Sequence, residues 1–249
     1  MVAEHPTVAA RPSWRLLPRG RADLLRQIAI WLGFGLGYEV ARALADRGTA
    51  EALRNADRVV SVEQHLGGLF ELDFQRWALD GGHVFLQCVN WTYWLSQFVV
   101  LSTGLLWVYL RRNDAYLRLR NTLIAVNLVG LVGYVALPTA PPRLLHPRGF
   151  VDTLQRSPMN FHSRIVELLA NPHAAMPSLH AADALVLAVV VVPLVRPRVL
   201  GVLVLCWPPW VWFCLLATGN HFWLDVAVGA AIGTLGLVAT PLLARRRGR

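Results

Sequence analysis

The sequence predicts an all-α, polytopic membrane protein built as a bundle of six transmembrane helices. Three observations predict it. Of the 249 residues, 55% are hydrophobic and only 16% charged, with a mean hydropathy of +0.43, too apolar for an ordinary soluble domain of this length. Apolar stretches recur at the roughly 17 to 25 residues a helix needs to cross a bilayer, where every backbone polar group must be satisfied within the segment. The basic residues, which give a formal charge of +9, lie between these stretches and form no single face or arm. That pattern excludes nucleic acid as a partner and leaves membrane lipids. All 24 basic side chains are arginine, so no lysine is present for a Schiff base or a phosphate clamp. The planar arginine fork suits phosphate oxygens well.

Residues 1–26 are Pro- and Arg-rich and read as a cytoplasmic basic arm. A secretory signal fits less well, because the charged region is long and no clear small-residue cleavage site follows. The first span is Gln27 to Leu44. Residues Ala45 to His83 mix charges with apolar residues at helical spacing, such as Leu66, Leu69, Phe70 and Phe74, which predicts either short amphipathic helices on the bilayer surface or a loop with helical turns. Further spans follow at Val84–Leu110, Leu123–Leu137, Leu179–Val195, Val199–Thr218 and Phe222–Leu243. Residues 27–243 thus form one membrane domain, and 244–249 a cytoplasmic basic tail. Cys88, Cys206 and Cys214 all sit in apolar stretches and are expected to pack as small hydrophobes.

An N-terminus in the cytoplasm places fifteen of the arginines on the cytoplasmic side, including Arg111 to Arg120 and Arg245 to Arg249. The positive-inside rule therefore predicts both termini in the cytoplasm. The loops before spans two, four and six then face outward, and the latter two carry the three clusters of chemically capable residues. The first is Pro138-Thr139-Ala140-Pro141-Pro142-Arg143, the second Pro177-Ser178-Leu179-His180, and the third Thr218-Gly219-Asn220-His221 with Asp225.

His221 and Asp225, four apart on a helix, share a face, so the carboxylate is expected to hold one ring nitrogen and leave the other poised for attack. Ionisable groups at a membrane helix end facing a bundle interior are functional candidates. Pro177 and Ser178 form a helix start with a capping hydroxyl, and the free N–H groups there favour a phosphate near His180. Each feature also has a plain reading: a solvated interfacial histidine, a simple cap, or a topology arginine at Arg143.

Together the clusters resemble the type 2 phosphatidic acid phosphatase superfamily, and more closely its inositol phosphorylceramide synthase-like branch. The family pattern is KxxxxxxRP, PSxH and SRxxxxxHxxxD. The second motif is intact here, and the third keeps His221 and Asp225. The first is reduced to Arg143, with Ala136 in place of the lysine and Leu144 in place of the proline. Cys214-Leu215 stand where Ser-Arg is expected.

The resemblance implies His221 as nucleophile on phosphorus, Asp225 as its orienting partner, and His180 as the acid that protonates the leaving oxygen and then activates water or an alcohol. It also implies Arg143, Ser178 and Asn220 as substrate-binding residues. The implied substrate is a lipid phosphate or phospholipid, handled without cofactor or metal. The implied setting is a bacterial plasma membrane with the active site on the extracytoplasmic side.

A non-enzymatic protein that binds or transports anionic lipids would use the same cluster. Among other residues, His146, His162 and His173 do not match a compact zinc spacing. Arg148, Arg156 and Arg164 are candidates to replace the missing cations, or are ordinary loop charges. Glu63 and Glu71 are expected on a solvated face, or else touching substrate. Asp183 would support His180 from the next turn or pair with an arginine, and Glu39 with Arg42 reads as an intramembrane ion pair. Ser178 as a hydrolase nucleophile lacks a nucleophile-elbow context.

Overall fold

A computed structural model describes residues 17–45, 48–156 and 175–247. Its helices are α1 (Gly20–Ala45), α2 (Thr49–Leu66), α3 (Phe70–Asp80), α4 (Gly82–Leu95), α5 (Leu101–Arg111), α6 (Asn113–Ala136), α7 (Leu179–Val191), α8 (Arg198–Ala217) and α9 (Trp223–Arg247). A π-helical turn at Ser96–Val100 joins α4 to α5. Among the described residues the regular structure is helical throughout, as the apolar periodicity predicts.

Four helical stretches are long and apolar enough to cross a membrane: Gly82–Arg111, Asn113–Ala136, Arg198–Ala217 and Trp223–Leu242. The expected six is therefore reached only in part. α1 has the length, 26 residues or about 39 Å, but Glu39, Arg42 and its glycines dilute its apolar character. The apolar stretch Leu179–Leu194 is shorter, at about 24 Å, below the roughly 30 Å of a hydrocarbon core.

That short helix is the centre of the bundle. Ten of the thirteen α7 residues are buried, including Ala182, Val186 and Val190, as expected of a helix that is hydrophobic all round. It packs with Val108, Leu119, Leu123 and Val126 of α5 and α6 in the main core. α9 crosses it at very close range. A Cβ on Gly229 would lie 2.1 Å from the Ser178 carbonyl oxygen, and one on Gly233 would lie 3.1 Å from that of Ala182. Glycines four apart let two membrane helices approach backbone to backbone. On the other side, Gly130 and Gly133 of α6 make room for Leu179 and Pro177. The start of α7 is thus fixed against two neighbours by glycines, and this sets where His180 sits. Large apolar side chains such as Leu106, Val132, Leu203 and Leu235 face outward, as lipid-facing residues do.

The segment between the first two apolar stretches forms α2 and α3, so the helical reading of residues 45–83 holds. α2 buries one face, Ala52, Ala56, Val59, Val60 and Glu63, at helical spacing. This face covers Ala140, Leu145, Phe150, Met176 and Phe222 from the connecting loops. Asn55 donates to the Pro138 carbonyl at 2.8 Å, and Ala140 N–H donates to the Ala52 carbonyl at 3.0 Å. The loop carrying Arg143 is thereby tied to α2.

Candidate active site

Three loop-to-helix junctions meet beneath α2 and α3. Ser178 caps α7: its Oγ accepts from Ala181 N–H at 3.3 Å, and its own N–H donates to the Asp225 carbonyl at 3.0 Å. The capping start predicted for this helix is present, and it is bonded directly to the first turn of α9. Gly219, in the left-handed region at φ +68°, turns the chain sharply after α8, and its carbonyl accepts from Arg143 N–H at 2.8 Å. A Cβ there would lie 2.9 Å from Gln75 Nε2.

Arg143 lies at this junction with its guanidinium held from two sides. Nη1 donates to Asn220 Oδ1, and Nε faces Asp152 Oδ2 at 3.8 Å. Asn220 Nδ2 in turn donates to Thr218 Oγ1 at 2.9 Å. Asp152 sits in a loop pinned by Gln75, which both donates to and accepts from Val151 at 2.9 Å. The arginine fork is therefore pre-oriented and keeps part of its donor set for a ligand.

His221 is buried, with Nδ1 2.9 Å from the Ala175 carbonyl and 3.5 Å from Asp225 Oδ2. A carbonyl oxygen only accepts, so Nδ1 carries the proton and Nε2 keeps its lone pair. The orienting partner closest to the ring is thus a backbone carbonyl, with the carboxylate second. Asp225 is fully buried; Oδ2 accepts from Phe222 N–H at 2.9 Å, and Oδ1 has no partner among the described residues. His180 stacks on Tyr93, ring centroids 5.0 Å apart, and its ring lies 5.9 Å from that of His221.

A cavity of about 610 Å³ opens at these groups. His180, His221, Arg143 and Asn220 line one end, and the cavity then runs down between α1 and the α4 π-turn, past Trp31, Phe34, Trp94 and Phe98. Four of the six expected site residues therefore converge on one space of ligand size. Ser178 and Asp225 lie behind it, fully buried, as the cap of α7 and the support of His221.

Several expectations are corrected. Glu63 and Glu71 are neither solvated nor against the cavity; both are fully buried, on the covered faces of α2 and α3. Glu63 Oε1 accepts from Leu224 N–H at 2.8 Å, at the start of α9. With Phe222 N–H taken by Asp225 and Leu224 N–H by Glu63, the first turn of α9 is already occupied by carboxyl groups. Burial, and next the neighbouring Glu71, push the Glu63 carboxyl up to about 9. Glu71 is also raised, first by burial. Glu63 Oε2 and both Glu71 carboxyl oxygens have no hydrogen-bond partner among the described residues, and two like charges buried this close disfavour ionisation of both.

Arg148 pairs with Asp57 at 2.9 Å on the exposed surface, away from the cavity. Asp183 neither supports His180 nor meets an arginine: its carboxylate accepts from Gln97 Nε2 at 3.0 Å and Asn127 Nδ2 at 2.9 Å. Among the described residues, no three His, Cys, Asp or Glu side chains form a metal-ligating group. His162, His173, Arg164 and the side chains of Arg156 and Arg42 lie outside the described residues. Tyr93, Gln97, Asn127 and Tyr134 line the cavity but were not singled out in the sequence, where only their polarity inside apolar spans marks them.

The fold is that of a helical membrane bundle, and it gathers two histidines and a held arginine at one end of a cavity, with a buried aspartate behind them. The PAP2 superfamily pattern matches residues 57–239, and the chain belongs to that superfamily. It is similar to phosphoinositol dihydroceramide synthase of Bacteroides thetaiotaomicron, at 29% identity over 160 residues that cover 55% of this chain and 50% of that protein. The chain thus spans about half the length of this curated relative. A crystal structure of LpxE from Aquifex aeolicus is similar at 17% identity and a TM-score of 0.48, over 67% of this chain and 92% of that one.

Proposed function

We propose that this protein is an integral membrane lipid phosphatase or phosphotransferase that works through a phosphohistidine intermediate, with its active site on the extracytoplasmic side. The observation that carries this reading is the convergence of His180, His221 and Arg143 at the head of a cavity whose walls continue between apolar helices. Membership of the superfamily and the name of the curated relative support the reaction class. Arg111, Arg112, Arg118, Arg120, Arg196 and Arg198 cluster around the opposite helix ends, which supports the outward placement of the site.

In the first step His221 Nε2 attacks phosphorus, the P–O bond to the leaving group breaks, and His180 gives that oxygen a proton. In the second step His180 takes a proton from water or an alcohol, whose oxygen attacks phosphorus as the P–N bond breaks. Arg143 meets the charge on the non-bridging oxygens, and Ala175 and Asp225 hold the imidazolium that forms. The relative is named as a synthase, so an alcohol acceptor stands beside water as the second substrate.

The test is release of phosphate or headgroup by purified protein from phosphatidic acid, polyprenyl phosphates and phosphatidylinositol, with and without a lipid alcohol. Acceptor-independent phosphate release marks a phosphatase, and product formed only with acceptor marks a transferase. Absence of turnover from folded protein across the whole panel refutes the proposal in favour of lipid binding or transport.

A further inference from the structure

The helix that carries Asp225 has no cap of its own. α9 begins at Trp223, so Phe222 stands at the capping position, where a side chain ordinarily accepts from the N–H two or three residues on. Phenylalanine has no acceptor. Asp225, three residues after Phe222, makes the reciprocal bond of a capping box by accepting from Phe222 N–H at 2.9 Å. The missing half comes from another element: Glu63 Oε1 of α2, 161 residues away, accepts from Leu224 N–H at 2.8 Å.

Glu63 does not reach this turn alone. Trp223 Nε1 donates to the Gly68 carbonyl at 3.1 Å, and the Trp223 ring lies against Phe70 with centroids 5.9 Å apart. The end of α2 and the start of α3 thus grip the first turn of α9. The same turn orients the reacting pair. His221 immediately precedes the cap, with Nδ1 3.5 Å from Asp225 Oδ2, and that oxygen is the one bonded to Phe222 N–H. A shift of the turn therefore moves Oδ2 away from the imidazole. Burial, and next the neighbouring Glu71, keep the Glu63 carboxyl uncharged near neutral pH, so the cap places no second negative charge beside Asp225.

We infer that Glu63 is a positioning residue for His221: from α2 it supplies the cap that α9 lacks, and it fixes the register in which Asp225 and the Ala175 carbonyl hold the proton on Nδ1 and leave Nε2 open to the cavity. Its effect on turnover rests on the proposed phosphoryl transfer, but the tautomer of His221 can be read without turnover. Removing the acceptor leaves Leu224 N–H unpaired beneath α2, and the turn rearranges to satisfy it.

The experiment uses full-length protein in phosphatidylcholine nanodiscs. Glu63→Gln keeps an acceptor, Glu63→Met keeps the length without one, and Val60→Ala loosens the same buried face of α2 without removing the hydrogen bond. The 15N signals of histidine-labelled protein, with His221 assigned by its loss in His221→Ala, report the tautomer, and release of phosphate or headgroup from the lipid panel reports kcat and KM. Wild type and Glu63→Gln are expected to show the Nδ1–H form and kcat equal within about twofold, whereas Glu63→Met shifts His221 toward the Nε2–H form and loses roughly 10- to 100-fold in kcat at a nearly unchanged KM. Val60→Ala is expected to lower the unfolding midpoint alone. Glu63→Met that matches the wild type in tautomer, Glu63→Gln that behaves as Glu63→Met does, or Val60→Ala that loses as much kcat as Glu63→Met overturns the inference. A tautomer shift in Glu63→Met alone, with no turnover by any of the proteins, upholds the positioning role and refutes the proposed reaction instead. If Glu63→Met fails to fold, Glu63→Asp, which withdraws the acceptor by one methylene, takes its place with the same expected shift.

Discussion

Glu63→Gln is expected to make the protein more resistant to alkaline pH. Glu63 is fully buried, accepts from Leu224 N–H through Oε1, and has the carboxyl of Glu71 as a neighbouring like charge. Its carboxyl ordinarily titrates at 4.5 and is pushed up to about 9 in the folded protein. The folded state therefore holds a proton that the unfolded chain releases. The stability this proton confers is fully present below pH 4.5 and is lost as pH rises toward 9. For one proton the slope approaches about 1.4 kcal/mol per pH unit.

Glutamine reproduces the uncharged form, accepting from Leu224 N–H through its oxygen, and it has no proton to lose. Groups outside the Glu63–Glu71 pair titrate equally in both proteins, so the informative quantity is the difference between them. Between pH 6 and pH 8 the variant is expected to gain roughly 3 kcal/mol on the wild type, or roughly 6 to 12 °C in unfolding midpoint. Thermal unfolding in detergent at half-unit pH steps measures it. Parallel curves for the two proteins across pH 5 to 9 would refute a proton retained on Glu63 in the folded state.

Three further outcomes follow from the same geometry. Ser178→Ala removes the α7 cap and is expected to cost about 1 kcal/mol of stability while leaving KM for lipid nearly unchanged; a large rise in KM would instead make Ser178 a substrate ligand. Gly229→Ala drives a methyl group into the Ser178 carbonyl and is expected to destabilise by about 1 to 3 kcal/mol, read as a lowered unfolding midpoint. Arg143→Lys keeps the charge but loses the fork held by Asn220 and Asp152, and kcat/KM is expected to fall roughly 10- to 100-fold in the lipid turnover assay.

The grouping of the candidate site residues was largely legible in local sequence because they sit at spacings with physical meaning. Four residues bring His221 and Asp225 to one side of a turn, and Pro177-Ser178 announces a helix start two residues before His180. Arg143 follows a rigid proline pair, and Asn220 precedes His221 in the same short turn. What local spacing could not convey was which surfaces those turns meet. Glu63 lies 161 residues from Leu224, and nothing around it distinguishes a carboxylate on a solvated face from one capping a distant helix. Asp183 finds its partners 86 and 56 residues away on two other helices, so its environment appears only when the helices pack. The glycines that allow this packing look in sequence like ordinary membrane-helix glycines. Counting apolar residues located the helices well but overstated how many match the bilayer thickness, because a helix wholly surrounded by protein, such as α7, is apolar for reasons other than lipid.

The central claim is that His221 takes the phosphoryl group. The most direct measurement is trapping of label on the protein after brief incubation with a lipid phosphate carrying 32P, followed by an alkaline quench that spares phosphohistidine. The account predicts alkali-stable, acid-labile label on the wild type and none on His221→Ala, with lipid binding retained in the variant. Label that persists in His221→Ala, or turnover by the wild type with no label at any time point, would contradict it.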